Sequence, residues 1–447
     1  MGWDELMTTA RALADFSTEL TLDRVPADVL DRARAMVLYD LCVGMAGYDS
    51  AGPMFDAARR FGAASSGSRL LVDGASVTAE WAAIANGSLI HARTQDDTAG
   101  GVGHLGTTIL PSLLALGEER GSTGGEFLLA FIAGCEAMTS LGTALVAPMM
   151  DRGFRSTSVL GPLGAAVACA RLLELGPDEA VHAIGIAASF GGGTAQTWLD
   201  GTQEWQCQVG FASVSGMTAA RLASAGVSGS PNAIEGAAGL LAAFSGVDSS
   251  PELRLGQDWG VRTVSFKPYP ICALNQTPVA TVIELMSEES VVAGDVAQVT
   301  VELAPGAARY PGIDEHGPFQ DVGSTLMSLP FCVALAALGG NVRHSDLTRF
   351  TDPDVAEMSR RVSVLGREDV ARGACRVSVT THSGETVTRQ SGSPLELFAW
   401  DFEECVERVR QLAKAESLDE HAVSLLVETV RTLENRDVRE LVGSTLS

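Results

Sequence analysis

Residues 86–111 read NGSLIHARTQDDTAGGVGHLGTTILP. Two histidines (His91, His104), two adjacent carboxylates (Asp96, Asp97), Thr98 and five glycines fall within these 26 residues, a density of proton-handling groups found nowhere else in the chain. Histidine is the only side chain whose unperturbed pKa lies near neutrality, so it suits a group that takes and returns a proton. A neighbouring aspartate can orient its ring. The stretch therefore reads as one wall of a metal-free acid–base active site. Two plainer readings stand beside it. The residue types are those of metal ligands, although the spacing matches no zinc signature such as HExxH. A glycine-rich loop held by hydrogen-bonded caps would also use them.

Three further stretches carry reactive groups. Residues 264–277 (VSFKPYPICALNQT) set Lys267, Tyr269 and Cys272 in a two-proline turn. Prolines stiffen the backbone and present such side chains rigidly. A lysine there can bind a carboxylate or take a proton; the plain alternative is an interdomain hinge. Residues 152–157 (RGFRST) offer two cations and hydroxyls ahead of an apolar helix, or simply a solvated helix start. Residues 189–193 (SFGGG) lack the Gly-Lys-Ser/Thr of a P-loop, and no GxSxG elbow occurs, so neither phosphate cradling nor α/β-hydrolase chemistry is supported.

The elements that must position these groups are mostly helical. Within residues 1–60, Pro26 begins a helix, Val29, Leu30, Ala33, Val37, Leu41 and Met45 recur at helical spacing, and Gly47 stops it. Residues 68–73 (SRLLVD) suit a short strand, and an apolar helix follows Pro111 through Leu116. A helix opens near 122, where Ser and Thr suit the cap and Glu126 the positive end of the dipole. Runs rich in small residues at 161–175, 177–190 and 209–225 suit helices packed closely in a bundle. Past residue 264 the texture changes. Residues 297–303 and 375–381 alternate as strands do, and the second run continues through Ser383-Gly384 into 385–389 as a hairpin, with a helix at 325–338 between the two strands. Residues 394–447 return to helix, with Glu404 and Arg408 spaced for an ion pair. The expected fold is mainly α with a smaller α+β domain. Residues 1–266 and 394–447 make a helical domain around an inserted lid at 267–393.

Bulk properties narrow the partners. A net charge of −24 over 447 residues disfavours nucleic acid and anionic membrane, while leaving room for a small acid in a local cationic pocket. The eight cysteines form no CxxC pair, which removes zinc-knuckle, iron–sulfur and thioredoxin readings and points to buried reduced thiols. The start MGWDELMTTA shows no basic and apolar leader, and the apolar runs read as too short to span a membrane, so a cytoplasmic protein is expected.

Taken in order, NGSLIHARTQDDT with its later histidine, GEFLLAFIAGCE, RGFRSTSVLGPLGAAVACARLL, KPYPICALNQ and STLMSLPFCVALAAL resemble the MmgE/PrpD family along nearly the whole chain. That family's activities include methylcitrate dehydration, cis-aconitate decarboxylation and iminodisuccinate epimerisation. The resemblance implies a helical domain built from both chain ends, a smaller lid, a homodimer and a cofactor-free site in the cleft between domains. Asp97, Thr98, His104 and Lys267 stand where the family's site residues stand. Elsewhere the site departs from the pattern. Thr94 replaces the first aspartate of the loop, Arg155 a histidine, Phe331 a tyrosine and Gln276 the histidine of many members, and the family's lysine would fall near Trp205. The resemblance thus yields His104, Asp97 and Lys267 as catalytic candidates. Thr94, Thr98, Arg155, Trp205, Tyr269, Gln276 and Phe331 are the candidates for substrate contact.

These exchanges remove a carboxylate, imidazoles, an ammonium and a phenol and add apolar rings. Such a cleft grips a tricarboxylate less well and an apolar body better, while Arg155 and Lys267 can still clamp one acidic group. The expected activity is a cofactor-free lyase or isomerase moving a proton at a carbon next to a carbonyl or carboxyl group, with His104 steered by Asp97 as the acid–base. Trp205 and Phe331 also suit a cyclase or tailoring enzyme for a bulky natural product. A non-catalytic binding protein that kept the fold is the reading from another class.

Overall fold

The structure is a computed structural model that describes residues 8–246 and 251–446, apart from the side chains at 143 and 144. The first seven positions of the expected N-terminal helical segment lie outside the described residues. Among the described residues, ten α-helices precede residue 225: α1 Thr9–Glu19, α2 Ala27–Ala46, α3 Gly52–Gly62, α4 Ala79–His91, α5 Gly106–Arg120, α6 Gly124–Asp151, α7 Ser156–Leu172, α8 Pro177–Ala187, α9 Thr197–Asp200 and α10 Glu204–Ser224. Two minor ladders accompany them. β1 Ala63–Arg69 pairs with β2 Ser76–Val77, and β3 Thr98–Ala99 pairs with β4 Val264–Ser265. Next come α11 Gln276–Glu288, β5 Val296–Leu303, α12 Pro305–Ala308, α13 Val322–Met327, α14 Leu329–Gly339 and α15 Pro353–Arg360. The strands β6 Val362–Gly366, β7 Cys375–Thr381 and β8 Thr386–Ser391 lead to the last helices, α16 Pro394–Phe398, α17 Phe402–Glu416, α18 Glu420–Arg431 and α19 Val438–Gly443. The fold is mainly α with a smaller α+β part.

Glycine and alanine let the central helices touch backbone to backbone. A Cβ on Gly87 of α4 would lie 2.8 Å from the Gly210 Cα of α10, and one on Gly210 would lie 2.2 Å from the Ile84 carbonyl oxygen. No side chain fits between these helices, so their spacing is fixed by main-chain contact rather than by adjustable rotamers. The ends of α4 and α7 and the start of α5, which carry the reactive residues, inherit that rigidity. Helix α6 contains a stretch long and apolar enough to cross a membrane, Gly124–Gly142, but 89% of its window is buried among the other helices. Its start is tied by a capping box between Thr123 and Glu126.

Buried side chains divide into two cores. One runs from Ala10 to Phe266 and resumes with Trp400 through Val442. The other takes in residues 271–379 and reaches back for Ala195, Trp198 and Trp205. In the second core a four-stranded sheet of order β6-β5-β7-β8 is parallel only between β5 and β6. Val299, Val301 and Leu303 alternate inward along β5, as do Cys375, Val377 and Val379 along β7.

Some local expectations give way. Pro111 lies inside α5 rather than at its start, its ring accommodated against Gly87, where even a methyl would stand 3.4 Å from the proline Cγ. Strand β1 ends at Arg69, because Leu70 and Leu71 turn into the core and Gly74 closes back on the Leu70 carbonyl at 3.0 Å. The helix expected at 325–338 breaks at Ser328, whose hydroxyl accepts from the Phe331 N–H and caps α14. Glu404 reaches back to the Asp401 N–H instead of to Arg408, whose guanidinium lies over Trp400.

Gly210→Ala should therefore lower stability by about 1–3 kcal/mol, the usual range for overpacking a core. Gly306→Ala, where an added Cβ meets nothing within 4 Å, serves as the control in urea unfolding. Equal midpoints for the two variants would show that the α4–α10 contact is not tight.

Candidate active site

Three junctions of the helical core carry the reactive groups. Helix α4 ends on His91, and the loop that follows holds Asp96, Asp97 and Thr98 before His104 leads into α5. The short ladder between β3 and β4 pairs Thr98 with Ser265 and Ala99 with Val264, which sets Lys267 beside the loop. Arg155 sits at the N-cap of α7. Consecutive residues of α2 then pin both halves. The Tyr39 hydroxyl donates to the Lys267 carbonyl at 2.8 Å, and Asp40 Oδ1 accepts the Asp97 N–H at 2.9 Å. The Gln95 amide donates to the Pro268 carbonyl at 2.9 Å and braces the proline turn from the loop side.

Asp96 is the charge at the centre. It is fully buried, and its Oδ1 accepts from His91 Nδ1 at 3.0 Å and from Lys267 Nζ at 3.2 Å, while Oδ2 lies 3.4 Å from His104 Nδ1. Burial alone would raise its pKa, but His91, Lys267 and His104 outweigh that and hold it well below the usual carboxylate range. Lys267, one of only two lysines in the chain, is 1% exposed.

Hydrogen-bond partners select the tautomers of both histidines. Arg155 Nη2 lies 2.6 Å from His91 Nε2, and arginine has only donors. His91 Nε2 must therefore accept, and its proton sits on Nδ1, aimed at Asp96. Burial pulls the His91 pKa down to about 4, with Asp96 opposing. His104 Nδ1 lies 2.8 Å from the Asp97 carbonyl oxygen, which can only accept. His104 thus carries its proton on Nδ1, and its Nε2 lone pair has no hydrogen-bond partner among the described residues. Burial and the nearby Lys267 charge push its pKa well below the usual histidine value, so the ring is a neutral base at rest.

This geometry corrects the expected pairing of Asp97 with His104. Asp97 offers His104 its backbone carbonyl, not its carboxylate; the carboxylate beside the ring belongs to Asp96. The Asp97 side chain points away, accepting the Gly106 N–H at 3.0 Å, and its pKa is raised to about 8 by burial and by the Asp96 charge.

A cavity of about 490 Å³ opens at this point, between the two cores. His104, Lys267, Thr94, Thr98 and Arg155 line it, as does His91. Thr94 does so from a left-handed backbone (φ 49°), uncommon for a β-branched residue and the kind of strain that collects at functional sites. Five other expected contacts are absent from the wall: Asp97, Trp205, Tyr269, Gln276 and Phe331. Trp205 packs edge-on behind His91 and accepts from Arg155 through its carbonyl. Gln276 bonds the Tyr269 N–H and carbonyl and so staples the proline turn. Phe331 is core, against Phe319.

The cavity also has walls that sequence reasoning missed. Trp198, Tyr310 and Arg372 line it, together with Met150, Leu274, Leu303, Leu326, Met327 and Leu395. Nothing in the local sequence around Tyr310 or Arg372 sets them apart. Asp40 did leave a signal, a lone acid within the apolar run AMVLYDLCVGMA.

Could the cluster hold a metal? Ligand atoms of His91, Asp96 and His104 lie within 4.8 Å of one another. The His91 Nε2 and Asp96 Oδ1 lone pairs, however, are already taken by Arg155 and Lys267, which leaves His104 Nε2 without two neutral co-ligands. An added cation would meet an ammonium and a guanidinium, so the donor set does not fit a metal.

Comparison with known proteins agrees in one direction. The MmgE/PrpD N-terminal domain matches residues 11–252, and the MmgE/PrpD C-terminal domain matches residues 269–414. A cis-aconitate decarboxylase of Aspergillus terreus is 25% identical over 422 residues, covering 86% of this chain and 84% of its own. A cis-aconitate decarboxylase-like protein of Aspergillus oryzae is 29% identical over 278 residues, 57% of each chain. The cis-aconitate decarboxylase of Homo sapiens is 34% identical over 170 residues, 37% of this chain and 35% of its own.

The buried neutral histidine implies a pH signature. Folded His91 stays neutral down to about 4, whereas unfolded histidine takes up a proton below about 6.5. Its contribution to stability is therefore full above about pH 6.5 and is lost as the pH falls toward 4. In urea unfolding, His91→Gln should show a shallower acid-side loss of stability than the parent. Identical acid slopes would contradict the neutral assignment.

Proposed function

The chain belongs to the MmgE/PrpD family, and from that premise we propose a lyase that moves a proton at a carbon next to a carboxyl group. The observation that carries this reading is the His104 ring. Its Nδ1–H is taken by the Asp97 carbonyl, and its Nε2 lone pair is free on a residue that lines the cavity. When Nε2 takes a proton, the imidazolium forms beside Asp96, whose charge stabilises it. Negative charge developing on the substrate's carboxyl oxygens falls within the influence of Lys267 and of the Thr98 hydroxyl.

We further propose a substrate with one carboxyl group at the reacting end and an apolar body. Of the cations on the wall, Lys267 is bound to Asp96 and Arg155 to His91, while Arg372 is exposed to solvent. Cations so engaged suit one carboxylate better than three. Farther out the wall is made by Met150, Trp198, Leu274, Leu303, Leu326 and Met327, a surface that favours hydrocarbon. The relatives' names carry cis-aconitate. Thr94 and Arg155 replace ionisable family residues here, and this supports a different acid for this chain. The cyclase alternative rests on Trp205 and Phe331, and neither lines the cavity.

Deuterium exchange at the carbon next to the carboxyl group, followed by NMR in heavy water, tests this whatever product the reaction yields. Against cis-aconitate and alkyl-bearing acids, turnover should favour the alkyl-bearing members. His104→Gln should lose ~10²–10⁴-fold, the usual share of a general base. Asp96→Asn should lose more than Asp97→Asn. Full activity in His104→Gln with an intact circular dichroism spectrum would overturn the assignment.

A further inference from the structure

We propose that Asp40 and Asp97 hold one proton between them, and that this buried acid pair positions the peptide group on which His104 leans. Both side chains are fully buried. They converge on Gly106, where an added Cβ would meet Asp40 Oδ2 at 1.7 Å and Asp97 Oδ1 at 3.3 Å. Glycine is required there because the carboxyls fill the space of a side chain. One oxygen of each is bonded, Asp40 Oδ1 to the Asp97 N–H and Asp97 Oδ1 to the Gly106 N–H. The other oxygen of each, Asp40 Oδ2 and Asp97 Oδ2, is buried without a hydrogen-bond partner.

Among the described residues, the surroundings offer this pair no cation that is not already bound elsewhere. The groups that act on Asp40 are Asp96 and Asp97 from the loop, Lys267 from the proline turn, Tyr39 on its own helix, Cys135 of α6 and Cys405 of α17. Of these only Lys267 is cationic, and its ammonium is bound to Asp96 at 3.2 Å. Two ionised carboxylates would face each other unpaired in a dry interior. One shared proton removes a charge and supplies an O–H donor where two acceptors lack one. Burial and like charge raise the pKa of both groups, in agreement.

Asp40 touches neither the cavity nor a reacting atom, so it is a positioning residue. It holds the Asp97 N–H, and the Asp97 carbonyl holds His104 Nδ1–H. The proton itself is independent of the reaction; only its consequence rests on reading His104 as the base.

Two measurements on the full chain test the pair. Folded chains that keep a proton which unfolded aspartate releases above about 3.9 must lose stability as the pH rises from there toward the raised folded value. Over about pH 5–7 that linkage changes the unfolding constant roughly tenfold per pH unit for one proton. Asp97→Asn replaces the O–H with an amide N–H, and both Asp97→Asn and Asp40→Asn should remove about one proton from that slope. Infrared spectra of the parent near neutral pH should contain a protonated-carboxyl C=O band that each single variant loses. Parental slopes and an unchanged band in variants that fold would overturn the proposal. Should neither variant fold, absence of any such band in the parent would do the same. Loss of band and slope in a protein without lyase activity would sink the functional reading and leave the pair standing.

Discussion

A single buried anion, the carboxylate of Asp96, organises the site. Taking a carboxylate out of water costs several kcal/mol unless partners replace the lost solvent. Here the replacements are the His91 N–H, the Lys267 ammonium and the nearby His104 ring. Each comes from a different part of the chain, so the charge can be accommodated only when helix α4, the loop after it and the proline turn are all in place. The same charge then makes a protonated His104 tolerable. Structure and chemistry thus draw on one electrostatic fact, and the cost of burying Asp96 becomes a requirement that the loop after α4 and the proline turn meet correctly.

What holds those segments is mostly not side-chain packing. Main-chain contact at Gly87 and Gly210 sets α4 against α10, and two adjacent residues of α2 reach the two halves of the site. Tyr39 steadies the Lys267 peptide and Asp40 the Asp97 peptide. A helix rigidly buried along most of its length is a good anchor for such bonds, because its own position has no slack to pass on. The second core contributes breadth: Tyr310, Leu303 and Met327 widen the cavity beyond His104 and Lys267.

The fold was largely legible in the sequence, since helical periodicity, small-residue runs and the alternation at 297–303 and 375–381 report burial directly. Strand β6 was not, because its short run alternates weakly and is recognisable only once paired parallel to β5. For the site, residue type identified the loop and Lys267, but orientation was out of reach. Asp96 and Asp97 are adjacent and chemically alike, yet successive residues point to opposite sides, and one faces the histidines while the other faces Asp40. The family resemblance puts Trp205 and Phe331 in the pocket, and the structure turns both rings into the packing behind it. Distant contributors such as Tyr310 carry no local mark, because only tertiary contact brings them to the cavity.

The central claim is that His104 rests neutral with its proton on Nδ1 and its Nε2 lone pair facing the cavity. Long-range nitrogen–proton NMR on histidine-labelled protein, with His104→Gln to assign the resonance, reads the tautomer directly. The expected result is a protonated Nδ1 and a bare Nε2 at neutral pH, persisting to well below the usual histidine range. A resonance pattern with the proton on Nε2, or an imidazolium at neutral pH, would contradict it.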